Sequence, residues 1–169
     1  MIVRNWIFPW ATSHSTLGPM NELRTTPERM ANTLELLARN GDGWLATATP
    51  DGGAHLIAVS ACWTGTAVLL ATRGDSLTAR NLAASGSARL ALGAPDDAVL
   101  LDVAVTDRRA SGPTSGELGS TFTSAMGWDP ADEPGAWDYF VLAPRRVQAY
   151  RGYGERPGAT IMRDGQWLG

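Results

Sequence analysis

The sequence predicts a mainly β fold, an antiparallel barrel with short flanking helices, and three observations point that way. Short segments of strand-like composition recur along the chain, separated by clusters of Gly, Pro, Asp and Asn. Helical periodicity occurs in only three places, so strands and helices do not alternate strictly enough for a parallel sheet. With 169 residues there is room for one well-buried core and not for two domains of ordinary size. Closing such strands into a barrel is the economical arrangement, because closure removes exposed edges.

The clearest element starts at Thr26, an N-cap candidate followed by Pro27 and Glu28, and runs to about residue 39. Met30, Leu34, Leu37 and Ala38 make an apolar stripe suited to closing one end of the barrel, and Gly41 reads as a left-handed C-terminal cap. Residues 43–49 and 54–61 form a hairpin through the turn Pro50-Asp51-Gly52-Gly53. In its second strand His55, Ile57, Val59 and Ala61 share one face while Leu56, Ala58 and Ser60 share the other. Neither face is plainly polar, so both are expected to be covered, one by core and one by cofactor or partner. A third strand spans residues 66–72, and Asp75 or Ser76 caps a short helix that stops near Gly86. Strands at 88–92 and 99–105 follow, the second with Val99, Leu101, Val103 and Val105 on one face. Thr114 and Glu117, at capping-box spacing, open a helix carrying Leu118, Phe122 and Ala125 and ended by Gly127. Residues 137–142 and 145–151 read as a last strand pair broken by Pro144.

Composition excludes several classes of function. A net charge of -3 and a pI near 5.3 supply no basic footprint, so nucleic acid is not an expected partner. All 14 basic residues are arginine, which removes a Schiff-base lysine, a phosphate-loop lysine and a lysine general base. One cysteine, Cys62, allows no internal disulfide, and with two histidines it falls short of any familiar zinc set. A reducing cytoplasm is the natural compartment for such a chain. Ile2, Trp6, Ile7, Phe8 and Trp10 are interrupted by Arg4, Asn5 and Pro9, so neither a signal peptide nor a membrane span is indicated. Residues 1–19 read as an N-terminal extension, either an arm on a partner subunit, a loosely held terminus or the product of an upstream start; residues 20–169 read as the domain.

No catalytic triad stands out. With His14 in the extension, His55 is the one imidazole of the domain, and in a strand it is more often a hydrogen-bonded packing residue than a base. Cys62 reads as a small buried hydrophobe, and Asp96 with Asp97 as an exposed loop. Side chains that offer so little chemistry point to a bound cofactor as the reacting group. The run from Ala71 to Leu82 is the informative one: a strand ends, Gly74 relaxes the turn, and a helix begins amid Arg73, Ser76, Thr78 and Arg80. Free N–H groups and partial positive charge at a helix start attract phosphate. An ordinary capped helix with solvent-facing arginines explains the same residues.

The order of hairpin, strand, Thr72-Arg73-Gly74-Asp75-Ser76 turn and Ala79-Arg80-Asn81-Leu82 helix resembles the pyridoxamine 5′-phosphate oxidase-like superfamily of FMN-binding split barrels, over roughly residues 22–168. Within it, the sequence is most similar to the actinobacterial flavin- and deazaflavin (F420)-dependent oxidoreductases. Met126-Gly127-Trp128-Asp129-Pro130, the run from Pro144 to Arg151 and the run from Met162 to Leu168 resemble the same group. The resemblance implies a Greek-key split β-barrel that binds F420 or FMN in a groove between two copies, as a homodimer, with a small-molecule substrate and no membrane partner. The seven tryptophans suit an apolar interface of that kind. It further implies a cofactor ring against His55, Ile57, Ala58 and Val59, with Ala71 and Thr72 beside it, and cofactor phosphate at Arg73, Ser76 and Thr78. Many relatives carry lysine where this chain has Thr78, and Arg80 is the candidate replacement. His55 could orient the substrate or donate a proton, with Tyr150 a weaker candidate. The stretch ending at Gly169 shows no Arg-rich segment such as grips the substrate phosphate in true pyridoxamine phosphate oxidases, so vitamin metabolism is the less expected assignment.

Three readings therefore stand. The first is an oxidoreductase passing hydride between F420 or FMN and a small organic substrate. The second is a non-catalytic flavin, deazaflavin or haem binding protein, and the third an FMN-dependent oxidase.

Overall fold

The computed structural model describes residues 23–169; the readings of residues 1–19 as an extension and of His14 within it lie outside the described residues. Six strands form a barrel: β1 (Gly41–Ala48), β2 (Ala54–Trp63), β3 (Val68–Arg73), β4 (Ser87–Ala94), β5 (Asp97–Ala110) and β6 (Trp137–Arg151). They pair antiparallel in the order β3-β2-β1-β4-β5-β6, and β3 pairs back onto β6 to close the ring. Three helices flank it, α1 (Thr26–Ala38), α2 (Leu77–Ser85) and α3 (Glu117–Met126). Two short strands, β7 (Thr160–Arg163) and β8 (Gln166–Trp167), extend the sheet from β6. With 4 and 2 residues they are too short to carry a readable period.

The barrel is split where its pairing lapses. β6 gives one edge first to β3, over Trp137–Leu142, and then to β7, at Val147 and Gln148. It changes neighbour at Pro144, which has no N–H to offer either strand. The proline does not break the strand, contrary to the sequence reading. Asp102 faces Arg146 whereas Val103 faces Pro144, so Arg145 is an extra, bulged residue. The bulge resets the alternation, and Phe140 and Leu142 before it and Val147 and Ala149 after it all reach the same core. The other lapse lies between β2 and β3, which pair only at Cys62 with Leu69 and Trp63 with Val68. Residues Ala54 to Ala61 pair on β1 alone.

Leu45, Val59, Val68, Leu70, Leu90, Leu101, Phe140, Leu142 and Ile161 fill the interior. Each fully buried side chain of this size contributes roughly 1.5–3 kcal/mol of hydrophobic stabilisation. Val99, Leu101, Val103 and Val105 face inward together, as their alternation predicts. α3 lies outside the barrel, over Leu69 and Tyr139, and buries Phe122 with Leu118 and Ala125 beside it.

The helix ends differ from expectation. α1 is capped by Thr25 and not by Thr26: the Glu28 carboxylate accepts from the Thr25 N–H at 2.7 Å, and the Thr25 hydroxyl accepts from the Glu28 N–H. Thr25 and Glu28 are the pair at capping-box spacing, which moves the helix start one residue back. Its core-facing residues are Arg29, Thr33 and Leu37, while Ala38 is exposed, so the stripe is rotated from the predicted one. The left-handed residue after α1 is Asn40 (φ 49°), whose side chain accepts from the Trp63 N–H at 2.7 Å. Gly41 already belongs to β1. At α3, Gly116 precedes the helix with no side-chain cap and Glu117 occupies the first turn, so Thr114 cannot reach it as a box partner. Ser76 and Gly86 bound α2 as predicted.

Candidate cofactor site

α2 lies across the opening between β2 and β3, and three side-chain hydrogen bonds fix it there. Ser76 meets Thr72 of β3 at 3.1 Å, Thr78 meets Nε2 of His55 on β2 at 3.0 Å, and Asn81 donates to Thr47 of β1 at 3.0 Å. Beneath them Ala79 and Leu82 enter the barrel core with no exposure. The helix therefore closes one barrel end through an apolar face framed by polar contacts. Each bond contributes about 1 kcal/mol, and losing one partner would leave a buried polar group unpaired at greater cost.

This arrangement separates the residues assigned from sequence. Ile57 and Val59 point into the barrel with the core, and Ala58 points outward and is exposed. Ala71 also points outward but is covered by α3, beside Leu69. Thr72 and Thr78 are buried and their hydroxyls are engaged with Ser76 and His55. The Ser76 hydroxyl also accepts the Ala79 N–H as the helix cap. Arg73 and Arg80 remain at the surface around the turn that opens α2. Arg73 holds the Asp75 carboxylate at 3.0 Å, which keeps that carboxyl below its usual range and the guanidinium above its own. Arg80 donates to the Asp75 carbonyl at 2.6 Å. Tyr150 lies on β6 under the Arg156 guanidinium, 5.2 Å from its ring centroid.

The structure adds neighbours that sequence reasoning passed over. On the outward face of β1 and β2, Trp44 stands opposite Ala58 and Ala46 opposite Leu56. Trp44 is 56% and Leu56 60% exposed, making an apolar outer face of the hairpin. The alternation of Asp42, Trp44, Ala46 and Ala48 against Gly43, Leu45 and Thr47 was the available signal. Thr47 and Asn81, which complete the anchoring of α2, carry no signal before the strands and helix are placed.

A concavity of about 600 Å³ lies on the outer face of β1, β4 and β5 and is floored by Ala46, Ala48 and Ala104. None of the residues assigned to the cofactor lines it, and Ala58 lines a smaller hollow beside Trp44 and Ala91. The geometry at β2 is instead an open edge: backbone groups of residues 54–61 on the side away from β1 meet no strand. Such an edge can hydrogen-bond a flat heterocycle, the exposed hairpin face offers apolar surface, and two guanidiniums stand at the helix start.

No family model matches the sequence, and a search of curated proteins finds no match. Solved structures do match the fold. An F420 reductase superposes with a TM-score of 0.55 at 20% identity, covering 67% of this chain and 93% of that one. A heme binding protein from Mycobacterium smegmatis gives 0.57 at 24% identity, over 78% of this chain and 56% of that one. A putative pyridoxamine 5′-phosphate oxidase from Listeria innocua gives 0.55 at 10% identity, over 70% and 95%. With its six-stranded closure, its lapse between β2 and β3 and these neighbours, the chain has the split-barrel fold of the pyridoxamine 5′-phosphate oxidase-like proteins.

Proposed function

We propose that the chain is a homodimeric oxidoreductase that binds F420 or FMN at the open edge of β2 and passes hydride to or from a small organic substrate. The observation that carries this reading is the unpaired edge from Ala54 to Ala61, bordered by the arginine-flanked start of α2. The bound cofactor would supply the hydride chemistry. The chain's own residues bind and orient. Arg73 and Arg80 would neutralise phosphate, backbone groups of β2 would meet the ring edge, and Ala58 leaves room for a planar group to approach. A single protomer offers an edge and an exposed apolar face but no deep pocket there, so a second copy is needed to exclude water from the reacting atoms. Haem is the less suited ligand: His55, the sole imidazole among the described residues, is bonded to Thr78, and Cys62 is buried beneath α3.

Titration of the purified protein with F420 and with FMN, followed by absorbance and fluorescence, tests the reading. One of them should bind saturably, and Arg80→Glu should weaken that binding by about 2 kcal/mol, the scale of a charge-assisted hydrogen bond. Failure of both to bind would remove the redox assignment.

A further inference from the structure

The turn that opens α2 is shaped from its far side by the segment leading into β6, whose residues the cofactor reading does not use. Consecutive contacts make the junction. Cζ, Nη2 and Nε of Arg73 stand 3.5, 3.6 and 3.7 Å from the position a Cβ of Gly135 would take, so the guanidinium lies across space that a side chain would fill. The Ala136 carbonyl accepts from the Gly74 N–H at 2.9 Å. The Asp138 carboxylate packs against Gly74, where a Cβ would meet its Oδ2 at 2.7 Å. Gly74 has no positive φ, so its missing side chain serves this close approach and not a special backbone conformation.

Asp138 is the charge at the junction. Its side chain is 13% exposed, and its Oδ2 accepts from Arg108 Nε at 3.0 Å and from Nη2 at 2.6 Å. The Arg108 guanidinium also lies over the Phe140 ring, 5.3 Å from its centroid. Carboxylate and ring therefore hold it together, next to the turn but not part of it. A carboxylate largely withdrawn from water acts on its neighbours with reduced screening. Without Arg108, the turn would carry an uncompensated negative charge against Gly74, the residue between Arg73 and Asp75.

We infer that Arg108 and Asp138 are positioning residues for anion binding at residues 73–76. Asp138 and the backbone of Gly135 and Ala136 hold Gly74 and the Arg73 guanidinium in place, while Arg108 offsets the Asp138 charge that would otherwise repel the ligand's phosphate. This rests on the reading of the turn as the cofactor's phosphate site, and it adds the pair that makes the turn acceptable to an anion.

The test uses the full chain at neutral pH and low ionic strength, with inorganic phosphate, FMN and F420 as separate probes. Phosphate is followed through the amide signals of residues 73–80, and the cofactors by fluorescence. Arg108→Gln should weaken every probe the parent binds by about fivefold, the effect of one unit charge at about 6 Å in largely aqueous surroundings. Arg108→Lys should restore affinity to within about twofold, because it keeps the charge. Asp138→Asn should bind at least as tightly as the parent, and combining it with Arg108→Gln should bring affinity back to within about twofold. A pair that only braces the fold gives a different pattern: each single variant weakens binding, and the combination is no better than Arg108→Gln alone. That pattern, unchanged affinity in Arg108→Gln, or a parent whose residues 73–80 do not respond to phosphate would overturn the inference. A parent that binds phosphate there but neither cofactor would remove the proposed function, with the phosphate series still deciding the role of the pair. Thermal melts accompany each variant, and Arg108, with its side chain 42% exposed, is replaceable without opening the core.

Discussion

Replacing Glu155 with glutamine should cost this barrel more than any other single conservative change at a carboxylate. Glu155 is 4% exposed and joins the segment before α1 to the turn after β6. Its Oε1 accepts from the Arg24 backbone N–H and Nε, each at 3.0 Å; its Oε2 accepts from Arg24 Nη2 at 2.7 Å and from the Arg151 N–H at 2.6 Å. The Arg24 side-chain hydrogen bonds, aided by the two backbone N–H groups and the guanidinium charge and opposed by burial, hold the carboxyl down from 4.5 to about 2. At 1.36 kcal/mol per pH unit, that depression contributes about 3 kcal/mol of stability. The folded value lies below the unfolded one, so the contribution is complete above about pH 4.5 and is lost as pH falls toward 2. Glutamine keeps the shape, removes the charge and turns N–H groups toward the Arg24 donors. At pH 7 the variant should melt roughly 6–12 °C below the parent, taking 2–4 °C per kcal/mol for a chain of this size. Scanning calorimetry from pH 7 to pH 2 should show the two melting temperatures converging below pH 4.5. A gap that stays constant over that range, or one below about 1 kcal/mol at pH 7, would refute the assignment of the depressed carboxyl to this contact.

Two further outcomes concern the proposed cofactor site. His55→Ala removes the partner of the buried Thr78 hydroxyl, so it should destabilise the fold by about 1–2 kcal/mol in denaturant melts. It should also slow turnover tenfold or less (about 1.4 kcal/mol of activation barrier) with cofactor affinity spared; a thousandfold loss in kcat (about 4 kcal/mol) would make His55 a true general acid. Leu56→Asp places a charge on the exposed apolar face of the hairpin and should turn a homodimer into a monomer by light scattering, with unchanged far-UV circular dichroism. A parent protein that is monomeric at micromolar concentration with cofactor bound would count against the dimeric site.

The fold class was legible because its signals are local. Ser76 and Gly86 delimit α2, Gly127 ends α3, and Val99 to Val105 alternate in β5. Errors came where a second strand decided the outcome. Pro144 looks like a strand breaker in one dimension, yet the Arg145 bulge and the exchange of β3 for β7 as neighbour absorb it. Gly41 looks like a helix cap, but Asn40 takes the left-handed conformation because its side chain has the Trp63 N–H to receive. For the site, the turn and helix from Thr72 to Leu82 were legible as a unit. Which of its hydroxyls face inward was not, since that depends on α2 crossing the opening and meeting Thr47 and His55, residues 34 and 23 positions away from their partners.

The crossing of α2 also bears on how Arg80 could stand in for a lysine at 78. Successive helical residues turn by about 100°, so positions 78 and 80 project about 200° apart. Thr78 accordingly faces β2 with 1% exposure, and Arg80 faces solvent and reaches back to the Asp75 carbonyl. A cation at 78 would need the space of the His55 ring, so His55 and Thr78 act as one alternative to a buried cation. On the proposed reading, Arg80 then offers its charge from the outer side of the helix, next to Arg73. An anionic group bound by both would sit over the turn at residues 73–76 and not beneath α2. Arg73→Gln and Arg80→Gln should therefore weaken cofactor binding by similar amounts, whereas Thr78→Val should lower stability through the unpaired His55 and leave affinity within about twofold.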